Sequence, residues 1–185
     1  EMGVGRTHYG MTRWIGTAGH KPAEAYARVP ANGEIRDGDR VLIVGAGGPM
    51  GQMHVIRDVC CGATDLEVIC TDFDDERLAS LEKKVAPLAE ANGVTVKYLN
   101  PRREQPEGPF TYIAIMAPVA ELVAAAFGQA GEGCRINLFA GIPASVYHPV
   151  NLDACIRSGA YLFGTSGSTI DDMQIVLQKV LDGTL

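Results

Sequence analysis

Seven residues constrain this chain more than any others: Gly45-Ala46-Gly47-Gly48-Pro49-Met50-Gly51, between the apolar run at 41–44 and a stretch with helical apolar spacing to about residue 61. A buried strand that turns this sharply into a helix needs residues without side chains in the turn. Its backbone N–H groups and the helix N-terminus then border a concavity suited to phosphate oxygens, and Gly51 lets the helix lie close to the sheet. Pro49 fits the first helical turn, where its missing N–H costs nothing. The plain G-x-G-x-x-G spacing fails, because Met50 stands three residues after Gly47, but Ala46-x-Gly48-x-x-Gly51 restores the register. By itself such a cluster is equally what a structural turn requires.

A second feature decides between those readings. The next apolar run, 67–71, ends at Asp72, and 72 − 51 = 21 residues past the last glycine is close to the roughly 20 expected of an acid that binds a ribose. A carboxylate there accepts hydrogen bonds from both adenosine ribose hydroxyls and repels a 2′-phosphate, which favours NAD over NADP. The alternative is that Asp72 only caps the following helix, within the acidic group of Asp74, Asp75 and Glu76. Phe73 is placed to lie along an adenine, and Arg77 one turn into that helix could soften the repulsion of a phosphate.

Along the rest of the chain, short apolar runs alternate with helical patterns, the signature of parallel βαβ units. Strands are expected at 41–44, 67–71, 94–99, 112–116, 135–139 and 160–164. Helices are expected at 49–61, from Asp74 through Leu78, Leu81, Val85 and Leu88 with a kink or restart at Pro87, at 118–129 and at 169–181. The Pro-rich stretch 100–109 is unsuited to a helix, and a long loop is expected before residue 160. These elements specify an α/β fold: a doubly wound, parallel, six-stranded Rossmann sheet in the order 3-2-1-4-5-6. Residues 1–40 show no period and read as a lead-in toward a catalytic domain outside this stretch; 41–185 read as the dinucleotide-binding domain.

The 185 residues hold 16 Lys and Arg against 22 Asp and Glu, a net charge of −6, and after residue 110 only Arg135, Arg157 and Lys179 are basic. That argues against a nucleic-acid or anionic-membrane surface. The uncharged stretch 136–152 is interrupted by Pro143, Pro149 and Asn151, so it does not read as a membrane span. Five cysteines without a repeating spacing (Cys60, Cys61, Cys70, Cys134, Cys155) read as reduced thiols of a cytoplasmic protein.

The run 41–51, followed by Thr71-Asp72-Phe73-Asp74-Asp75-Glu76-Arg77-Leu78, resembles the cofactor domain of medium-chain alcohol and polyol dehydrogenases, many of them zinc-dependent. Asn137-Leu138-Phe139-Ala140-Gly141 and Gly164-Thr165-Ser166-Gly167 are similar to that family's fifth strand and to its Gly-Thr segment after strand six. The resemblance spans about residues 36–185, and the longer glycine loop has the length found in quinone-reductase-like members. It implies NAD, hydride exchange with a small alcohol, polyol or sugar-phosphate, and zinc held only in the absent catalytic domain. It further implies that the nicotinamide lies near Ala117, Pro118, Ala140 and Gly141, and that two chains pair through strand six at 160–163.

No catalytic or metal residue emerges from the sequence. The four histidines are scattered, Gly19-His20-Lys21 matches only part of the family's Gly-His-Glu ligand motif, and His54 reads as a surface residue. A short-chain dehydrogenase is excluded because it needs Tyr-x-x-x-Lys, and the six tyrosines are followed four residues on by Arg13, Pro30, Arg102, Met116, Asn151 and Thr165. Two alternatives stay open: a non-catalytic NAD sensor, and an adenosylmethionine-dependent methyltransferase, whose usual acidic motif is missing from 113–118.

Overall fold

Val41, Leu42 and Ile43 are wholly buried, and a strand with no exposed face belongs in the middle of a sheet covered on both sides. The computed structural model describes residues 1–183, and in it this strand, β2 (Arg40–Val44), pairs in parallel with β3 (Glu67–Thr71) on one side and β5 (Phe110–Ile115) on the other. Further out lie β4 (Thr95–Leu99), β6 (Ala130–Leu138), β7 (Tyr161–Phe163) and a two-residue strand, β1 (Trp14–Ile15). The full order is β1-β7-β6-β5-β2-β3-β4. Among the described residues the expected six-stranded sheet is therefore corrected to seven strands. The addition comes from the lead-in, where Trp14 and Ile15 pair antiparallel with Leu162 and Tyr161. That pairing also corrects the expected open edge at strand six, because β1 occupies the side on which a second chain would have joined.

Among the described residues, seven helices complete the fold: α1 (Gly5–Tyr9), α2 (Pro22–Tyr26), α3 (Pro49–Val59), α4 (Asp75–Asn92), α5 (Ala120–Gln129), α6 (Leu152–Ser158) and α7 (Ile170–Leu181). One face of the sheet buries Val41, Ile43, Val68 and Cys70 against Val55 and Val59 of α3 and Leu81 and Val85 of α4. The opposite face buries Leu42, Ile113, Ile136 and Leu162 with Val123 and Phe127 of α5, Cys155 of α6, and Met2 and Val4 of the lead-in. Residues 1–40 are thus partly built into the core.

Several local expectations change. Pro87 does not break α4, whose stripe Leu78, Leu81, Val85 and Ala89 stays buried from end to end. The helix expected from Pro118 starts at Ala120, with Val119 as its N-cap. The long loop before β7 contains α6: the Asn151 side chain accepts the Ala154 N–H at its start, and Gly159 ends it in the left-handed conformation. At the amino end of the strands, Arg135 is 2% exposed and its guanidinium binds both oxygens of Asp39, at 2.6 and 2.5 Å.

Candidate functional site

Winding reverses at β2: the chain moves outward to β3 and β4, then returns to β5 on the other side of β2. A crevice opens at such a switch point, beyond the carboxyl ends of the strands. The glycine loop fills its rim. Gly45 has φ +84°, a conformation that favours glycine, and the N–H groups of Gly45 and Ala46 both donate to the Thr71 carbonyl at 2.9 Å. Ala46 is buried beneath the loop, Pro49 starts α3, and Met50 is partly exposed at its outer side. Helix and loop touch at Gly51, where a β-carbon would lie 2.3 Å from the Gly45 oxygen and 2.6 Å from Ala46 Cα.

Gly47 is the tightest point. A β-carbon there would come within 2.6 Å of Arg77 Cβ and 2.8 Å of Asp72 Oδ2. Its N–H donates to Asp72 Oδ2 at 3.0 Å, and its carbonyl accepts from Gln52 Nε2 at 2.8 Å. Gln52 Oε1 in turn accepts from Lys84 Nζ of α4 at 2.7 Å. The residue that could have been only a helix cap is not one: Asp74 caps α4, accepting from the N–H groups of Glu76 and Arg77, while Asp72 Oδ1 accepts the Asp74 N–H at 3.0 Å. Asp72 therefore spans the phosphate loop and the end of β3. Gln52 and Lys84 carried no sequence signal, since helical polar residues are ordinary surface residues until the fold sets them beside a loop carbonyl.

A cleft of about 510 Å³ lies below this rim, lined by Gly45, Gly48, Asp72, Phe73, Arg77 and Ala117 among the residues expected at the site. Its deeper wall is apolar, formed by Leu42, Val44, Leu122, Ala125 and Pro106. The connection from β4 to β5, residues 100–109, is not helical, and it contributes Pro101, Gln105 and Pro106 to the lining. Phe73 is 53% exposed, its carbonyl accepts from Asn100 Nδ2 at 3.1 Å, and the Arg102 guanidinium stands 5.1 Å from its ring centroid. Ala46, Gly47, Pro49, Met50, Gly51, Pro118, Ala140 and Gly141 are not part of the cleft lining. Ala140 and Gly141 follow β6, where the Ala140 N–H donates to the Ile115 carbonyl at 2.9 Å.

His54 is half-buried rather than a plain surface residue. Its Nδ1 lies 2.9 Å from the Met50 carbonyl and its ring meets Phe139 edge to face, with centroids 4.7 Å apart. Burial lowers its pKa below the ordinary histidine value, against the opposing pull of the Met50 carbonyl. Among the described residues, no three His, Cys, Asp or Glu side chains are grouped so as to hold a metal ion. No helix among them is long and apolar enough to cross a membrane.

No family model matches the sequence. The uncharacterised protein YggP of Escherichia coli (strain K12) is 26% identical over 163 residues, which cover 82% of this chain and 38% of that protein. Solved alcohol and polyol dehydrogenases share the fold. The alcohol dehydrogenase RspB of E. coli CFT073, complexed with NADH, superposes with a TM-score of 0.59 at 21% identity, over 89% of this chain and 47% of its own. A Sinorhizobium meliloti 1021 protein solved with NADP gives 0.62 at 20% identity, over 83% and 44%. The resemblance to medium-chain dehydrogenases thus holds at the level of the fold, and the chain spans less than half the length of each of these proteins.

Proposed function

We propose that this chain is the NAD(H)-binding domain of a larger oxidoreductase that exchanges hydride between nicotinamide and an alcohol, polyol or sugar-phosphate. The observation that carries the reading is the Asp72 carboxylate, hydrogen-bonded to the Gly47 N–H at the rim of a cleft at the strand switch point. The first turn of α3 leaves N–H groups without helical partners beside Gly48, and these would take the diphosphate. Asp72 retains lone pairs for the ribose hydroxyls, and Phe73 offers a ring face to the adenine. Nicotinamide supplies the hydride chemistry; the chain's task is to hold it oriented. By this reading the isolated chain binds dinucleotide without turning over alcohol, and zinc belongs to another domain.

NAD is favoured over NADP. A 2′-phosphate adds roughly −1.5 to −2 charges if it titrates as other phosphomonoesters do, and Asp72 would meet it. Arg77 is turned to Asp74, at 3.5 Å, and Arg103 pairs with Asp75, so neither stands as a dedicated phosphate clamp. Calorimetric titration of both cofactors into wild type and Asp72→Ser tests this. The substitution is expected to weaken NAD by about 1–3 kcal/mol and to narrow the gap to NADP. Tighter NADP binding by the wild type would refute the choice of cofactor.

A further inference from the structure

None of the side chains of α7 is buried, yet the helix is patterned for burial. At 3.6 residues per turn, Ile170, Met173, Val176, Leu177, Val180 and Leu181 fall on one stripe, and all six are exposed. Of the apolar residues in the helix, only Ile175 stands off it. The two borders of the stripe differ. Asp172 and Lys179 lie together along one, Gln174 and Gln178 along the other. The capping box fixes the acid in place: Asp172 Oδ2 accepts from the Thr169 N–H and hydroxyl, both at 2.8 Å, so Oδ1 can still accept from another donor.

We propose that α7 is a self-association surface, and that its occupant is the α7 of a second copy of this chain laid antiparallel against it. Charge selects both the occupant and the direction. The antiparallel register that sets Ile170 opposite Leu181 of the second copy also sets Asp172 opposite Lys179 and brings Met173 beside Leu177. Equivalent borders of the two helices face each other in such a pair, so the acid–base contact occurs twice, as two-fold symmetry requires. A parallel pair sets the charged border against Gln174 and Gln178 instead, and both charges go unmatched. The β7 edge offers no equivalent contact, because β1 already covers it. A helix of 12 residues is about 18 Å long, so the interface is small and the association weak. At low micromolar concentration the chain is therefore a monomer with α7 solvated.

Sedimentation velocity of the full chain, from about 10 µM to about 1 mM as suits a small interface, should show a monomer–dimer equilibrium. Leu177→Glu, a charge in mid-stripe at an exposed position, should abolish the dimer and leave the monomer folded by circular dichroism. Lys179→Glu, which sets like charges against each other twice, should weaken it about three- to tenfold. Direction is read by cross-linking with diamide in a background where the exposed Cys60 and Cys61 are replaced by serine. Val176 lies beside the two-fold axis, whereas the two copies of Ile170 stand roughly 16 Å apart along the helices. Val176→Cys should therefore give about ten times more disulfide-linked dimer than Ile170→Cys. A chain that stays monomeric throughout would overturn the proposal and leave α7 to a partner of another kind. A dimer of unchanged strength in Leu177→Glu or in Lys179→Glu would overturn it by placing the contact elsewhere, and equal cross-linking of the two cysteine variants would do so by showing a parallel pair.

Discussion

Asp58 lies near the end of α3 with 1% exposure, and its Oδ2 has no hydrogen-bond partner among the described residues. Burial raises its pKa to about 7, partly offset by the neighbouring Arg57 guanidinium. In the unfolded chain this carboxyl ionises near its ordinary value of 3.8. Between about pH 4 and 7 the unfolded state therefore binds fewer protons than the folded one, and stability falls as pH rises through that window. Above pH 7 the loss is complete. Asp58→Asn should accordingly be more stable than wild type at pH 8, by on the order of 2–4 kcal/mol, with the difference disappearing toward pH 4. Urea denaturation at the two pH values measures it, and a variant less stable at pH 8 would count against a charge-burial penalty. The residues at the cleft rim behave differently, because the glycine loop and Asp72 stand out by type and spacing. Gln52 does not: its place beside the loop depends on the contact with Lys84, 32 residues away, which spacing does not encode.

At the scale of elements, legibility followed burial. β2, β3 and α4 have long apolar stripes with clear boundaries, such as the Asp74 cap and Gly93 in the left-handed conformation, and they lie close to where the pattern put them. α6 and β1 were hidden because seven and two residues are too few to display a period. The opposite case is α7, which the pattern found easily although none of its side chains is buried; Ile170 is 73% and Leu181 70% exposed. Its capping box links Thr169 and Asp172 through bonds of 3.2 and 2.8 Å. A cap and propensity alone leave a 12-residue helix marginal in water. Amide hydrogens of α7 should therefore exchange at rates near those of an unfolded peptide, while those of β2 and β5 open only with global unfolding. Exchange measured by mass spectrometry after pepsin digestion checks this, and strong protection of residues 170–181 would contradict it.

For the whole molecule, the lead-in is part of the domain it precedes. Removing residues 1–18 would strip β1 from β7, take Met2 and Val4 out of the core, and leave the β7 edge with unpaired backbone groups. Exposed edges recruit other chains. The truncated protein should be less stable and should self-associate in sedimentation velocity runs at concentrations where the full chain shows less association; matching profiles would oppose this. The β1–β7 pairing also has a consequence for biosynthesis. Ile15 meets Tyr161, and 161 − 15 = 146 residues separate them. At roughly 5 to 20 residues per second, the ribosome delivers that partner about 7 to 30 seconds after β1 has been made. Throughout that interval Trp14 and Ile15 travel without their strand, so the edge strand translated first is completed only when the strand translated last has emerged.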